Sequence, residues 1–93
     1  MRPFQLTEIA EATGGVADGD ALITNVVIDN REVTKGSLFI AIKGERLDGH
    51  QFVPAAVEAG AVAVMCHKPV ECAVPTVTVK DTTQGFLDLA HDY

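Results

Sequence analysis

Two apolar segments on either side of a helix-like segment constrain the fold of this chain more than any other feature. Residues 37–42 ("SLFIAI") and 61–66 ("AVAVMC") are short and continuously apolar, as expected for strands of a parallel sheet that is covered on both faces. Between them, residues 52–60 ("FVPAAVEAG") carry apolar side chains at helical spacing. The order strand, loop, helix, strand predicts a βαβ unit with a right-handed crossover.

The remaining elements fit the same fold class. Residues 21–29 ("ALITNVVID") and 76–79 ("TVTV") have the β-branched composition of strands. "LTEIAEATGG" predicts a helix with Thr7 as its N-cap and a glycine pair as its stop. "DTTQGFLDLAHDY" predicts a final helix whose Asp81 and Gln84 have capping-box spacing. The predicted fold is a small three-layer α/β/α sandwich with a mixed, mostly parallel sheet.

Particular positions in the helical segments follow from simple sterics. Pro54 must lie in the first turn of its helix, because deeper in the helix its ring would break the hydrogen-bond ladder. Gly60 is expected to end that helix. Phe39 and Phe52 are predicted to lie in the core, since both stand in apolar surroundings.

Length and composition indicate one globular domain over residues 1–93. The chain is 47% hydrophobic and 22% charged, which is ordinary for such a domain. No apolar run approaches the roughly 20 residues that a bilayer-spanning helix needs, and the first residues lack the apolar core of a secretory signal. We therefore expect a cytoplasmic protein with no membrane partner.

The charge distribution bears on the class of ligand. A net charge of −6 argues against a nucleic-acid partner. Residues 31–46 are nevertheless locally basic, with four basic side chains against two acidic ones. This strip suits a small anionic ligand, and chance clustering on a small surface is the alternative.

No metal-binding or catalytic motif is recognisable. Cys66 and Cys72 do not have zinc-ligand spacing, and Cys66 reads as a buried reduced thiol at the end of a strand. The three histidines are scattered, and the sequence contains no GxxxxGK[ST], GxSxG or HExxH pattern. The residues alone therefore indicate a binding module.

The candidate site comprises two polar segments that each begin where a strand ends. These are "IDNR" (28–31) and "KGERLDGH" (43–50). Ligands of open α/β sheets bind beyond the carboxyl ends of the strands, where these segments begin. Arg31 could bind an anion, or it could form an ion pair with Asp29 or Asp48. Asp48 could cap the following helix, and Gly49 permits close backbone approach. A solvated loop is the alternative for the second segment.

Several linked motifs resemble the N-terminal domain of the Mur ligases, which build the peptidoglycan stem peptide. They are Asp29-Asn30-Arg31, the segment 36–41, the segment 44–52 and Ala59-Gly60-Ala61. Asn30 departs from the Ser or Thr usual in that family. The "GERLD" loop and "VKDTTQGFLDLA" are most similar to the member that adds D-alanyl-D-alanine.

The resemblance implies a role in holding a UDP-linked precursor. The side chains that it assigns to the uridine nucleotide are Ile28, Asn30, Arg31, Glu45, Arg46, Leu47, Asp48 and His50. It places no catalytic, cofactor-binding or metal-binding residue in this chain. ATP and Mg²⁺ would bind in a central and a C-terminal domain that this sequence does not include, so residues 1–93 alone are expected to be inactive.

The implied partners are a UDP-MurNAc-peptide precursor and those further domains. The implied parent is an ATP-dependent ligase that joins D-alanyl-D-alanine to UDP-MurNAc-tripeptide. Two alternatives stay open: the sister ligase that adds the third residue of the stem peptide, and a free-standing module that binds a small molecule.

Overall fold

A computed structural model describes residues 3–42, 48–68 and 70–92 of the chain. Seven strands and three helices lie in these ranges, together with two short 3₁₀ turns, Asn30–Glu32 and Gly49–Phe52. The strands and helices are β1 (Phe4–Gln5), α1 (Leu6–Thr13), β2 (Val16–Ala17), β3 (Leu22–Ile23), β4 (Asn25–Val27), β5 (Ser37–Ile40), α2 (Val53–Ala59), β6 (Ala63–Cys66), β7 (Thr76–Thr78) and α3 (Thr82–Asp92).

The main sheet has five strands in the order β2-β7-β6-β5-β4. Strands β4, β5, β6 and β7 are parallel to one another, and β2 pairs antiparallel with β7 at one edge. The predicted βαβ unit is confirmed, because β5 and β6 are adjacent parallel strands connected through α2. The predicted mixed, mostly parallel sheet is therefore also confirmed. Strands β1 and β3 form a separate antiparallel ribbon, which the sequence did not predict.

Alternating side chains divide the core into two layers, one on each face of the sheet. On the first face, Leu38 and Ile40 pack with residues of α1 and α3; on the second face, Phe39 and Ala41 pack with residues of α2. This alternation is the period of two that every β-strand imposes. The helical partners are Leu6, Ile9 and Leu89 on the first face, and Val53 and Ala56 on the second. The three-layer α/β/α arrangement is confirmed.

The segment 21–29 is not the single strand that its composition predicted. Leu22 and Ile23 pair with the ribbon strand β1, whereas Asn25–Val27 pair with β5 in the main sheet. Thr24 lies between the two pairings, and its backbone N–H donates to the Gly36 carbonyl at 2.9 Å. A continuous β-branched run thus serves two sheets, because strand propensity does not encode the choice of partner.

The predicted cap of α1 is wrong. Gln5 is the N-cap, and the Glu8 carboxylate accepts from the Gln5 backbone N–H at 3.2 Å. Thr7 lies inside the first turn, where its backbone N–H donates to Asp20 at 3.3 Å. Asp20, which is 13 positions away, satisfies this backbone donor of the first turn, and the capping box itself is formed by Gln5 and Glu8.

The other helix ends follow the predictions more closely. Gly14 (φ +70°) and Gly60 (φ +118°) end α1 and α2 in the left-handed conformation, and Pro54 lies in the first turn of α2. Asp81 caps α3 by accepting from the backbone of Thr83 and Gln84. The Gln84 side chain, however, donates to Asp88 at 2.9 Å.

Strands β4 to β7 all end at the same edge of the sheet, here called the carboxyl edge; the opposite end is the amino edge. The loops that follow β4, β5 and β6 therefore converge on one surface. Within residues 3–42, 48–68 and 70–92, every helix is too short or too polar to cross a bilayer.

Candidate functional site

A cleft of about 650 Å³ opens at the carboxyl edge, where β4 and β5 end. This volume lies within the usual range for small-molecule sites, roughly 300–1,000 Å³. The described residues that line it are Ile28, Asp29, Asn30 and Arg31 after β4, and Ile42, Gly49 and Phe52 after β5. Of the second polar segment only residues 48–50 are described; its Gly49 lines the cleft together with residues 28–31, because β4 and β5 are neighbours in the sheet.

An Asx-type turn at the end of β4 orients Arg31. The Asp29 Oδ1 accepts from the Arg31 backbone N–H at 2.8 Å, and the Asp29 Oδ2 pairs with Arg31 Nη2 at 2.7 Å. The Arg31 side chain, followed by its backbone N–H, lowers the pKa of Asp29 to about 2, and the Asp29 carboxylate raises the pKa of Arg31. Of the two ion-pair partners considered, Arg31 takes Asp29.

Several hydrogen-bonding groups of the residues after β4 have no partner among the described residues and lie at the cleft. Arg31 uses Nε–H and one Nη2–H on Asp29, and its other guanidinium donors have no partner within the described residues. Its side chain is 84% exposed. The Asn30 side-chain amide likewise forms no hydrogen bond within the described part of the chain. Such groups can bind a ligand without first breaking an internal contact.

The cleft also has apolar surface. Ile28 is 48% exposed, an unusual position for a large aliphatic side chain next to a core strand. Phe52 is half-buried, packs against the core layer under α2, and lines the opposite side of the cleft. A flat ring could therefore contact apolar groups while its polar edge meets Asn30.

A second set of polar contacts lies beside the cleft and joins the ends of β5 and β6. It consists of Asp48, His50, His67 and Lys68, and we call it the clasp. His50 Nδ1 lies 2.5 Å from Asp48 Oδ1, and His50 Nε2 accepts from the His67 backbone N–H at 3.2 Å. Lys68 Nζ donates to Asp48 Oδ2 at 3.3 Å. Only 5% of the His50 side chain is exposed.

Asp48 is the electrostatic centre of the clasp. It accepts from the His50 backbone N–H at 3.0 Å and so caps the 3₁₀ turn Gly49–Phe52, whereas the N-cap of α2, the helix it was predicted to cap, is Phe52. This backbone bond, then the His50 side chain, holds the pKa of Asp48 well below its ordinary value. Asp48 is therefore a carboxylate that already has several donors.

Gly49 brings the clasp against the sheet. Its backbone N–H donates to the Ile42 carbonyl at 2.8 Å, and a Cβ at this position would come within 2.7 Å of Ile42 N and 2.9 Å of Ile42 O. The close approach anticipated from the sequence is confirmed, and a side chain here would push the wall of the cleft outward.

The residues assigned to a nucleotide fall into three groups. Ile28, Asn30 and Arg31 line the cleft, whereas Asp48 and His50 lie in the clasp and outside the described lining. Glu45, Arg46 and Leu47 lie outside the described residues. Sequence reasoning missed Ile42 and treated Phe52 only as core. The available signal was position, because both residues flank the loop at the carboxyl edge.

Comparison with known proteins identifies the family. The sequence signature described as "Mur ligase family, catalytic domain" matches residues 22–89. The chain belongs to the Mur ligase family. The resemblance drawn from the sequence motifs is thereby confirmed. Members of this family are ATP-dependent ligases of peptidoglycan synthesis.

Two kinds of Mur ligase are similar to this chain. It is 40% identical over 86 residues to the UDP-N-acetylmuramoyl-tripeptide--D-alanyl-D-alanine ligase of Escherichia coli, covering 92% of this chain and 19% of that protein. It is 49% identical over 95 residues to the UDP-N-acetylmuramoyl-L-alanyl-D-glutamate--2,6-diaminopimelate ligase of Chlorobaculum tepidum, with coverage of 92% and 19%. The chain thus spans about a fifth of the length of these relatives.

Solved Mur ligase structures share the fold. MurF from Acinetobacter baumannii superimposes with a TM-score of 0.88 at 28% identity, over 96% of this chain and 20% of that one. MurF from Thermotoga maritima, in complex with ADP, matches with a TM-score of 0.66 at 29% identity, over 73% and 16%.

Proposed function

We propose that this chain holds the uridine-nucleotide end of a UDP-N-acetylmuramoyl-peptide for a cytoplasmic ligase that adds D-alanyl-D-alanine. The observation that carries the proposal is the carboxyl-edge cleft, where Asn30 and Arg31 present polar groups with no partner among the described residues, beside the exposed Ile28. Residues 1–93 would act as the substrate-anchoring N-terminal domain, and the bond-forming chemistry would take place in other domains of the ligase.

The lining of the cleft matches the parts of a uridine diphosphate. A uracil ring has apolar faces that can pack on Ile28 and Phe52, and an imide edge that an amide such as Asn30 can pair with. The diphosphate needs a positively charged fork, and Arg31 is held in a fixed plane by Asp29. Because Asp29 is already neutralised by this pairing, it repels the diphosphate less than an unpaired carboxylate would.

The family resemblance extends the proposed site to Glu45, Arg46 and Leu47, which lie outside the described residues. For Arg46, we expect Arg46→Ala in the ligase to raise the KM for the UDP precursor and leave kcat nearly unchanged. The contact would be remote from the reacting atoms and made equally in the ground state and the transition state. A lower kcat at unchanged KM would contradict this assignment.

Binding can be tested on the chain itself. Titration of ¹⁵N-labelled chain with UDP should shift the amides of residues 28–31, 42 and 48–52. We expect a dissociation constant on the order of 0.1 to 10 mM, since the peptide end of the precursor would have no partner in this chain. CDP is the matched control for base recognition and should bind more weakly. Shifts that spare both segments would refute the proposed site.

The chemistry can be tested separately. Since the sequence lacks a phosphate-loop motif, we expect the chain alone to turn over no ATP when Mg²⁺ and the UDP precursor are present. Measurable ATP hydrolysis by the pure chain would contradict the proposed division of labour. ATP and Mg²⁺ would bind in the other domains of the ligase.

The diaminopimelate-adding ligase is a second candidate, favoured by the 49% identity to the Chlorobaculum enzyme. The structural likeness to two MurF proteins favours D-alanyl-D-alanine addition. The two candidate ligases differ in the nucleotide-linked acceptor and in the amine that they add. Assaying the ligase that contains this chain with D-alanyl-D-alanine and with 2,6-diaminopimelate, each with its UDP-linked acceptor, separates them: turnover with diaminopimelate alone would overturn the first proposal.

A further inference from the structure

His50 is a buried polar residue that the cleft does not use directly. Its ring is 5% exposed, and it connects two loops that are 17 positions apart in the sequence, through Asp48 on one side and the His67 backbone on the other. A helix cap needs only the Asp48 carboxylate and the His50 backbone N–H. The ring contacts therefore require another explanation.

The hydrogen bonds determine the tautomer of the ring. His50 Nε2 accepts from the His67 backbone N–H at 3.2 Å, so Nε2 carries no proton. The proton of the neutral ring is then on Nδ1, where it is donated to Asp48 Oδ1 at 2.5 Å. The ring thus acts as donor to one loop and acceptor from the other, a combination that imidazolium cannot provide.

The ring is placed to set the wall of the cleft. Two lining residues, Gly49 and Phe52, lie in the same 3₁₀ turn as His50. This turn is bonded to the end of β5 through Gly49, and to the loop after β6 through the His50 ring. Without the ring bond, the exposed Lys68–Asp48 pair is the polar contact that remains, within the described residues, between this turn and the loop after β6.

We infer that His50 is a positioning residue, which in its neutral Nδ1–H form ties the Gly49–Phe52 turn to the loop after β6 and so shapes the nucleotide cleft. This inference rests on the proposed function, because it concerns affinity for the uridine nucleotide. It assigns His50 no contact with the ligand.

Removal of the acceptor at Nε2 should open the clasp from the His67 side, because the ring then no longer accepts from the His67 backbone N–H. The charged and polar groups around the ring in the described residues are Asp48 on its own turn, and His67 and Lys68 on the loop after β6.

The experiment measures the affinity of the chain for UDP-glucose at pH 7.5. UDP-glucose is used because its diphosphate is a diester and lacks the terminal phosphate group that titrates near pH ~6. The variants are His50→Gln, whose amide oxygen can still accept from the His67 N–H, and His50→Leu, which fills the space without polar atoms. Gln51→Ala is the control, since Gln51 is exposed on the same turn.

We expect His50→Gln to keep the wild-type dissociation constant within about twofold at pH 7.5, because its amide oxygen replaces Nε2 as the acceptor. His50→Leu should bind about tenfold more weakly at pH 7.5, the loss typical of one buried hydrogen-bonded group. Gln51→Ala should match the wild type. In the ligase, His50→Leu should raise the KM for the UDP precursor with kcat unchanged. Long-range ¹H–¹⁵N spectra should show the Nδ1–H tautomer in the wild type at pH 7.5.

Different failures have different meanings. Wild-type affinity in a folded His50→Leu, or an about tenfold loss of affinity in a folded His50→Gln, would overturn the positioning role and leave the proposed function intact. If His50→Leu does not fold, the affinity of His50→Gln decides. Absence of UDP-glucose binding by the wild type at pH 7.5 would overturn the proposed function and this inference with it.

Discussion

The two ends of the same parallel sheet use polar residues in opposite ways. At the amino edge, the first residues of β4 and β5 are Asn25 and Ser37, which are direct neighbours in the register. Ser37 is completely buried; its hydroxyl donates to Asn25 Oδ1 at 2.8 Å and accepts from the Thr34 backbone at 3.0 Å. The Asn25 amide also lies 3.5 Å from the Thr34 hydroxyl. These side chains satisfy one another.

At the carboxyl edge, the same two strands end in groups that are only partly satisfied. Arg31 keeps guanidinium donors without a described partner, and Asn30 keeps its whole side-chain amide. Buried polar atoms must be paired to be tolerated, whereas atoms at the mouth of a cleft can remain hydrated until a ligand arrives. A closed polar network therefore indicates a structural role, and open donors beside apolar surface indicate a binding role.

The largest effect is expected from Ser37→Ala at the amino edge. This variant removes three hydrogen-bond contacts from a buried position and should lower the free energy of unfolding by about 1–3 kcal/mol. UDP affinity of the folded fraction should not change. Thermal melts and a UDP titration test both statements, with Thr24→Ala, at an exposed hydroxyl of the same edge, as the control. Loss of affinity in a stably folded Ser37→Ala would erase the distinction between the two edges.

Arg31→Ala should give the reverse pattern. We expect UDP affinity to fall about tenfold, the loss expected for one charge-assisted contact, with little change in melting temperature, because the ion pair with Asp29 is exposed. Glu32→Ala on the same 3₁₀ turn is the control, since Glu32 is exposed and does not line the described cleft. A large drop in melting temperature with unchanged affinity would make Arg31 structural.

Acid should weaken the carboxyl edge and leave the network at the amino edge unaffected. The pKa of Asp29 falls from its ordinary 3.8 to about 2 on folding, and that of Asp48 is also lowered. Between the folded-state and unfolded-state pKa values, the unfolded chain binds more protons than the folded chain. The contribution of these carboxylates to the free energy of unfolding is therefore complete above pH ~4 and is lost as the pH falls toward 2. Asn25, Thr34 and Ser37 carry no group that ionises in this range.

Urea midpoints at pH 5 and pH 2.5 measure this difference. Asp29→Asn should flatten the acid dependence, whereas Ser37→Ala should lower the midpoint by a similar amount at both pH values. An unchanged acid dependence in Asp29→Asn would mean that the low pKa of Asp29 does not contribute to stability.

The smallest effect is expected from Lys68→Met. The Lys68–Asp48 pair is 3.3 Å long, and the Lys68 side chain is 53% exposed, so the change in melting temperature should be close to the error of the measurement. UDP affinity should also be unchanged, because His50 rather than Lys68 holds the turn. A substantial loss of affinity would move the positioning role from the ring to the ammonium group.

Most elements of the fold could be predicted from the sequence, because they depend on local periodicity. The runs at 37–42 and 61–66, the helix that follows Phe52 and the glycines that end helices are each readable within about ten residues. The cap of α1 and the division of residues 21–29 between two sheets were mispredicted or missed. The division depends on a distant partner, β1, whereas the cap is a local capping box whose N-cap, Gln5, is not among the usual N-cap residues.

In the candidate site, too, the features that depend on neighbouring residues could be predicted, and those that depend on distant partners could not. Its location could be predicted, because the carboxyl ends of neighbouring parallel strands must converge. The Asp29–Arg31 pair was also foreseeable, since it spans only two residues. The roles of Phe52 and His50 could not be predicted from the sequence. A phenylalanine can pack in a core or line a cleft, and nothing in the neighbouring residues shows that the His50 ring will bond to the His67 backbone.

The sequence by itself therefore determined the βαβ unit, the edge at which a ligand would bind and the family to which the chain is similar, because alternation, helical spacing and short motifs are properties of neighbouring residues. Only the tertiary structure decided that Asn30 and Arg31 face an open cleft and that His50 is enclosed behind it. The physical reason is that hydrogen-bond satisfaction depends on partners such as the His67 backbone, which folding alone brings within 3.2 Å of His50.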